Sequence, residues 1–157
     1  MMMLGALKKQ YTQGFSVLEL LVVLAISSIL MALALPAYQH AVTRARRTEG
    51  QVALWQLLQQ QERFYTQANS YQAFSASATE PEARQFKWWS GSGANNSAYE
   101  IEGKACDGEA ISQCVQLIAT PGTARVDGRF RDEGCQQLIL TSRGKQSATG
   151  QEERCWL

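Results

Sequence analysis

Residues 15–35 form an apolar run, FSVLELLVVLAISSILMALAL, interrupted only by Ser16, Glu19, Ser27 and Ser28. As a helix rising about 1.5 Å per residue it is roughly 31 Å long, which matches the hydrocarbon core of a bilayer. The rest of the chain has to be organised around a segment that water does not solvate well. The head before it carries Lys8 and Lys9 and no acidic residue, which favours a cytoplasmic N-terminus with the remainder outside. Arg44, Arg46 and Arg47 follow the span and pull the other way, so charge alone orients it weakly.

One reading is a secretory signal peptide, cut after Ala32-Leu33-Ala34, that releases a soluble periplasmic domain. Two features favour a retained anchor. Glu19 places a carboxylate within the apolar run at a cost of a few kcal/mol, so it calls for a partner or a task. It is also close enough to the end of the run to snorkel to the headgroups. The helical pattern, moreover, continues past the cut. Tyr38, Ala41, Val42, Ala45, Val52, Trp55 and Leu58 recur at three- and four-residue spacing, with Gly50 as the one interruption.

Gly14-Phe15-Ser16-Val17-Leu18-Glu19, the apolar helix, and Leu35-Pro36-Ala37-Tyr38 together resemble the N-terminus of type IV pilins. The resemblance implies cleavage after Gly14 by the prepilin peptidase and N-methylation of Phe15. It also implies that Glu19 pairs with the free amine of a neighbouring subunit's Phe15. Such a pair in low dielectric penalises a wrong stagger between subunits. Ser16 stands where Thr is usual, Leu18 where Ile is common, and Ser27-Ser28 where relatives often have Ile-Gly. Pro36 either ends the span or kinks a continuing helix. The resemblance implies the kink, within a helix over about residues 15–65.

In the second half of that helix Leu54, Leu57, Leu58, Phe64 and Tyr65 make an apolar stripe, while Gln56, Gln59, Gln60, Glu62 and Arg63 make a polar one. Asn69-Ser70-Tyr71, the stretch 75–78 and the Gly/Asn/Ser-rich stretch 91–97 read as loops. Alternating runs at 99–103, 114–120 and 137–142, with a weak one at 124–127, predict a three- or four-stranded antiparallel sheet against the helix. The fold class is therefore α+β. Its segments are a leader at 1–14, a transmembrane helix at 15–35, an amphipathic continuation at 36–66 and an extracytoplasmic domain at 67–157.

Cys106, Cys114, Cys135 and Cys155 all lie in that small exported domain, where disulfides are expected to limit unfolded-state freedom. Four cysteines allow three pairings, and the sequence does not choose among them. Loop economy prefers Cys106–Cys114 and Cys135–Cys155. The spacings contain no C-x-x-C, which argues against zinc. No cofactor is implied.

Tyr99-Glu100-Ile101, 117–121, Cys135, 138–141, Gly144-Lys145 and Cys155-Trp156 resemble minor pilins of the PilE and ComP type, as does 61–65 with Asn69-Ser70-Tyr71. In that family the last cysteine pair closes a loop at the edge of the domain, in agreement with Cys135–Cys155. The resemblance implies a structural subunit of the inner membrane and the extracellular pilus. Its implied partners are other pilin subunits, the prepilin peptidase and the inner-membrane assembly platform. A type II secretion pseudopilin has a similar N-terminus but often lacks the disulfide-closed end. Some ComP-type relatives bind double-stranded DNA, and two clusters are candidates for that contact. Arg84, Lys87, Trp88 and Trp89 interleave cations with aromatics. Arg125, Arg129, Arg131, Arg143 and Lys145 offer a second patch, with Asp127, Asp132 and Glu133 among them. A net charge of +1 gives no bulk attraction to nucleic acid, so any binding must be local. One histidine, His40, no glycine-rich phosphate loop and no clustered carboxylates leave nothing to assemble into an enzyme active site.

Overall fold

The computed structural model describes residues 14–156; the rest of the leader, with Lys8 and Lys9, lies outside the described residues. Two compact units divide the chain after Gln39. One helix, α1, runs over Val17–Ala68 and carries on through Pro36. In the first unit every described residue is exposed, and its helix is long and apolar enough to cross a membrane. Glu19 lies in the first turn of α1, where a negative charge complements the free N–H groups of the helix end.

In the second unit α1 lies against a four-stranded antiparallel meander, β1 (Tyr99–Ala105), β2 (Val115–Pro121), β3 (Leu138–Thr141) and β4 (Gln146–Ala148), in the order β1-β2-β3-β4. Alternation sets which face is covered. Tyr99, Ile101, Leu117, Ala119, Leu138 and Leu140 are buried, and the register stacks Ile101 beside Ala119 and Leu138. The helix answers with Leu54, Leu57 and Leu58. β2 departs from simple alternation, because Gln116 and Ile118 are buried too. The Gln116 amide donates 2.9 Å bonds to the Ala105 carbonyl and to Asp107, tying the β1–β2 loop to the strand.

Two glycines permit close approach. A Cβ at Gly50 would stand 2.9 Å from the Tyr99 ring, and one at Gly103 would stand 2.5 Å from the Phe74 ring. Phe74 bridges Gly103 through two 2.9 Å backbone bonds, and Trp89 bridges Glu100, so the segment between α1 and β1 covers the outer edge of β1. Phe74 stacks on Phe86 at 5.2 Å, and Phe64 meets Phe86 edge-on at 5.9 Å.

The weak strand expected at 124–127 is absent: the chain turns there, with Val126 N–H donating to Thr123 O and Asp127 N–H to Ser97 O. The fourth strand is Gln146–Ala148 instead, whose short polar sequence carries no strand signal. Val52 and Trp55, part of the periodic pattern, are 49% and 40% exposed, so the helix has one apolar stripe under the sheet and another left open. Leu117→Ala removes a fully buried side chain at the centre of β2 and is expected to cost about 2–5 kcal/mol. Denaturant unfolding of the full chain in detergent, followed by tryptophan fluorescence, measures it.

Candidate functional site: polar anchor and basic surfaces

The face that α1 turns to the sheet includes Arg47, Gln51 and Gln61, all buried. Each is satisfied. The Gln61 amide donates to Gln72 O at 2.7 Å and accepts from Gln72 N–H at 2.9 Å, which fixes the exit from the helix. Gln51 donates to Cys155 O at 2.5 Å. Arg47 reaches two carboxylates. Its Nε and Nη2 donate to Asp132 at 2.9 and 2.7 Å, and its Nη2 and Nη1 donate to Glu152 at 2.9 and 3.3 Å. Tyr99 Oη donates to Asp132 Oδ2 at 2.5 Å, and Cys135 N–H to Asp132 Oδ1 at 3.3 Å.

Burial favours the neutral form of the Asp132 carboxyl. The Arg47 hydrogen bond, the Tyr99 hydroxyl, the Arg47 charge and the Cys135 N–H outweigh it, so the pKa lies below the usual carboxylate value. The Asp132 hydrogen bond holds the Arg47 guanidinium above its ordinary value. Burial and then the bond to Asp132 raise Tyr99. Asp132, Cys135 and Glu152 also bring ligand-type atoms within 4.8 Å of one another. Arg47 bonds both of those carboxylates, and Cys135 is joined to Cys155. The second bridge is Cys106–Cys114.

The five residues of the second basic patch do not come together. The register pairs Tyr99 with Pro121 at one end of the sheet, and Ala105 with Val115 at the other. Successive loops of a meander leave from alternate ends. Arg125, Arg129 and Arg131 follow β2 at the first end, whereas Arg143 and Lys145 lie in the β3–β4 turn beside the Cys106–Cys114 loop. Charges within each group are also answered locally. Arg125 pairs with Glu100 at 3.0 Å, Arg129 approaches Asp127 at 3.7 Å, and Arg143 pairs with Glu109. Arg131 donates to Gly128 O and Phe130 O at 2.7 Å.

Arg84, Lys87, Trp88 and Trp89 do share a surface. They line a groove of about 550 Å³ in the α1–β1 segment, which among the described residues has no carboxylate in its wall. Arg84 is exposed in the middle of a short 3-10 turn, Ala83–Gln85. Lys87 donates to Gly91 O and lies 5.6 Å from the Trp89 ring centre, so its charge is held in place. The two tryptophans are half-buried and meet edge-on at 5.1 Å. Trp89 Nε1 is buried without an acceptor among the described residues.

Residues 36–139 match the family model described as type IV minor pilin ComP, DNA uptake sequence receptor. The chain belongs to the ComP family of type IV minor pilins. Residues 9–35 match the prokaryotic N-terminal methylation motif. A fimbrial protein, EcpC of Eikenella corrodens, is 51% identical over 41 residues, 26% of this pilin and 27% of that protein. This pilin therefore spans about a quarter of that relative's length. A type IV pilin structure from Shewanella oneidensis aligns with 73% of this pilin and 98% of its own chain, at 19% identity and a TM-score of 0.46. The family is that of type IV minor pilins, and the apolar helix with its N-terminal methylation motif fits a membrane and pilus location.

Sequence reading missed the Arg47 anchor of this pilin. The signal was present in the spacing: Arg47, Gly50, Gln51, Leu54, Leu57, Leu58 and Gln61 fall on one helical stripe, three of its members polar. The depressed Asp132 carboxyl contributes stability above its unfolded pKa of about 3.9, and that contribution is lost as pH falls through the folded value. Denaturant unfolding of the pilin is thus expected to show stability dropping below about pH 4. Asp132→Asn should cost about 3–5 kcal/mol at pH 7, by leaving Arg47 with less than its full counter-charge, and should flatten the acid limb.

Proposed function

We propose that this pilin is a filament subunit whose exported domain binds double-stranded DNA through the Arg84–Trp89 groove. The carrying observation is the acid-free groove, which gathers two cations and two indoles on one surface of a ComP-family chain. Arg84 supplies an exposed charge for a phosphate, and Lys87 one held in place. The β3–β4 turn, with Lys145 and the Glu109-paired Arg143, is a second contact surface of lower charge. Titration of the full chain in detergent with duplex DNA should give an affinity that falls as salt rises. Arg84→Ala with Lys87→Ala should weaken binding to all sequences and reduce the slope of log K against log salt by about 1 per phosphate contact removed. Unchanged affinity and slope in that variant would exclude the groove.

The same reading extends to assembly. Prepilin peptidase cuts between Gly14 and Phe15 on the cytoplasmic side of the inner membrane, Phe15 is methylated, and the assembly platform lifts the subunit out of the bilayer. The exposed Val42, Val52 and Trp55 then exchange lipid or water for neighbouring helices, and Glu19 pairs with a neighbour's amine to set the stagger. Pro36 leaves one turn of the helix short of a backbone bond, which gives local freedom for that packing. Intact mass of the exported protein should show loss of the first fourteen residues plus one methyl group. Glu19→Ala should still insert and be processed, yet fail to enter filaments; normal incorporation would remove the stagger role.

A further inference from the structure

Each of the last two cysteines follows a carboxylate by three residues, in Asp132-Glu133-Gly134-Cys135 and Glu152-Glu153-Arg154-Cys155. Both carboxylates are bonded to the one buried guanidinium of Arg47. Further bonds align the two segments without involving sulfur. Gly150 N–H donates to Cys135 O at 2.9 Å, Glu152 N–H to Gly134 O at 3.0 Å, and Gln51 to Cys155 O at 2.5 Å.

Taken one bridge at a time, chain entropy favours Cys135–Cys155 only weakly. Cys135 and Cys155 are 20 residues apart, and Cys135 lies 135 − 114 = 21 residues from Cys114, so closing either loop costs nearly the same. The local Cys106–Cys114 pair, 8 apart, is favoured over either by only about fourfold on loop length. While Cys114 is still free, loop length alone does not direct Cys135 to Cys155 rather than to Cys114. We propose that Arg47 is the template for this pairing: by collecting Asp132 and Glu152 on one planar fork it brings their cysteines into bonding range before the bridge exists. Arginine suits the task because its five donors engage two carboxylates at once, which a lysine ammonium does not do in fixed geometry. The bridge then closes when the two thiols pass two electrons and two protons to a disulfide oxidant. That oxidant's own S–S bond breaks and it leaves as two thiols.

The test is oxidative refolding of the full chain in detergent micelles. Reduced, denatured protein is returned to native buffer with oxidised and reduced glutathione, free thiols are alkylated at intervals, and bridges are mapped by peptide mass. For the natural chain, Cys135–Cys155 and Cys106–Cys114 should dominate. For Arg47→Met, the yield of Cys135–Cys155 should drop at least fivefold, with Cys135 and Cys155 recovered alkylated, while Cys106–Cys114 forms as before. Asp132→Asn with Glu152→Gln should behave likewise. A native yield of Cys135–Cys155 in Arg47→Met, or loss of both bridges together, overturns the proposal. A second measurement needs no bridge at all. In Cys135→Ser with Cys155→Ser, the Gly150 and Glu152 amides should remain protected from hydrogen exchange; loss of that protection shows that the bridge holds the segment, and overturns the template role.

Discussion

A guanidinium, a carboxylate and a phenol share the interior between α1 and the sheet, and each is tolerable there because of the others. Arg47 without Asp132 would keep only the more exposed Glu152 as counter-charge, and Asp132 without Arg47 and Tyr99 would be driven toward its neutral form. The arrangement converts a polar intrusion into a directional joint. Hydrophobic contact alone lets a helix slide or turn on a sheet, whereas a forked donor facing two fixed carboxylates accepts one setting. Leu54, Leu57 and Leu58 supply the adhesion; Arg47, Gln51 and Gln61 fix where along the helix it occurs.

That division also explains what the sequence could convey. The apolar run, the strand alternation at Tyr99–Ala105 and Val115–Pro121, and the four cysteines are local patterns with local physical causes, and they were readable. Arg47, Asp132 and Glu152 are separated by 85 and 105 residues, so their joint role exists only once the fold has brought them together. β4 was hidden for a different reason: Gln146, Ser147 and Ala148 pair because the turn after β3 delivers them to an edge, and their side chains carry no strand preference.

The basic residues illustrate the same limit. Arg125 through Lys145 look like one cluster along the chain, but an antiparallel meander is a device for sending sequence neighbours to opposite ends. Arg84, Lys87, Trp88 and Trp89 stay together because they belong to a single short segment pinned alongside β1. A surface confined to one segment can be read in advance; a surface assembled from several loops has to await the register.

The treatment of the sheet margins has a bearing on how such subunits coexist. One margin is sealed by Phe74 and Trp89, and the other is a three-residue strand whose Ser147 carbonyl already accepts from the Trp156 indole. Little backbone is left over to recruit a stranger's strand. Crowded copies held in a membrane would otherwise be prone to zip together through their sheets into aggregates that no machine could unpick. With that route closed, the surfaces left for contact between copies include the exposed apolar residues of α1.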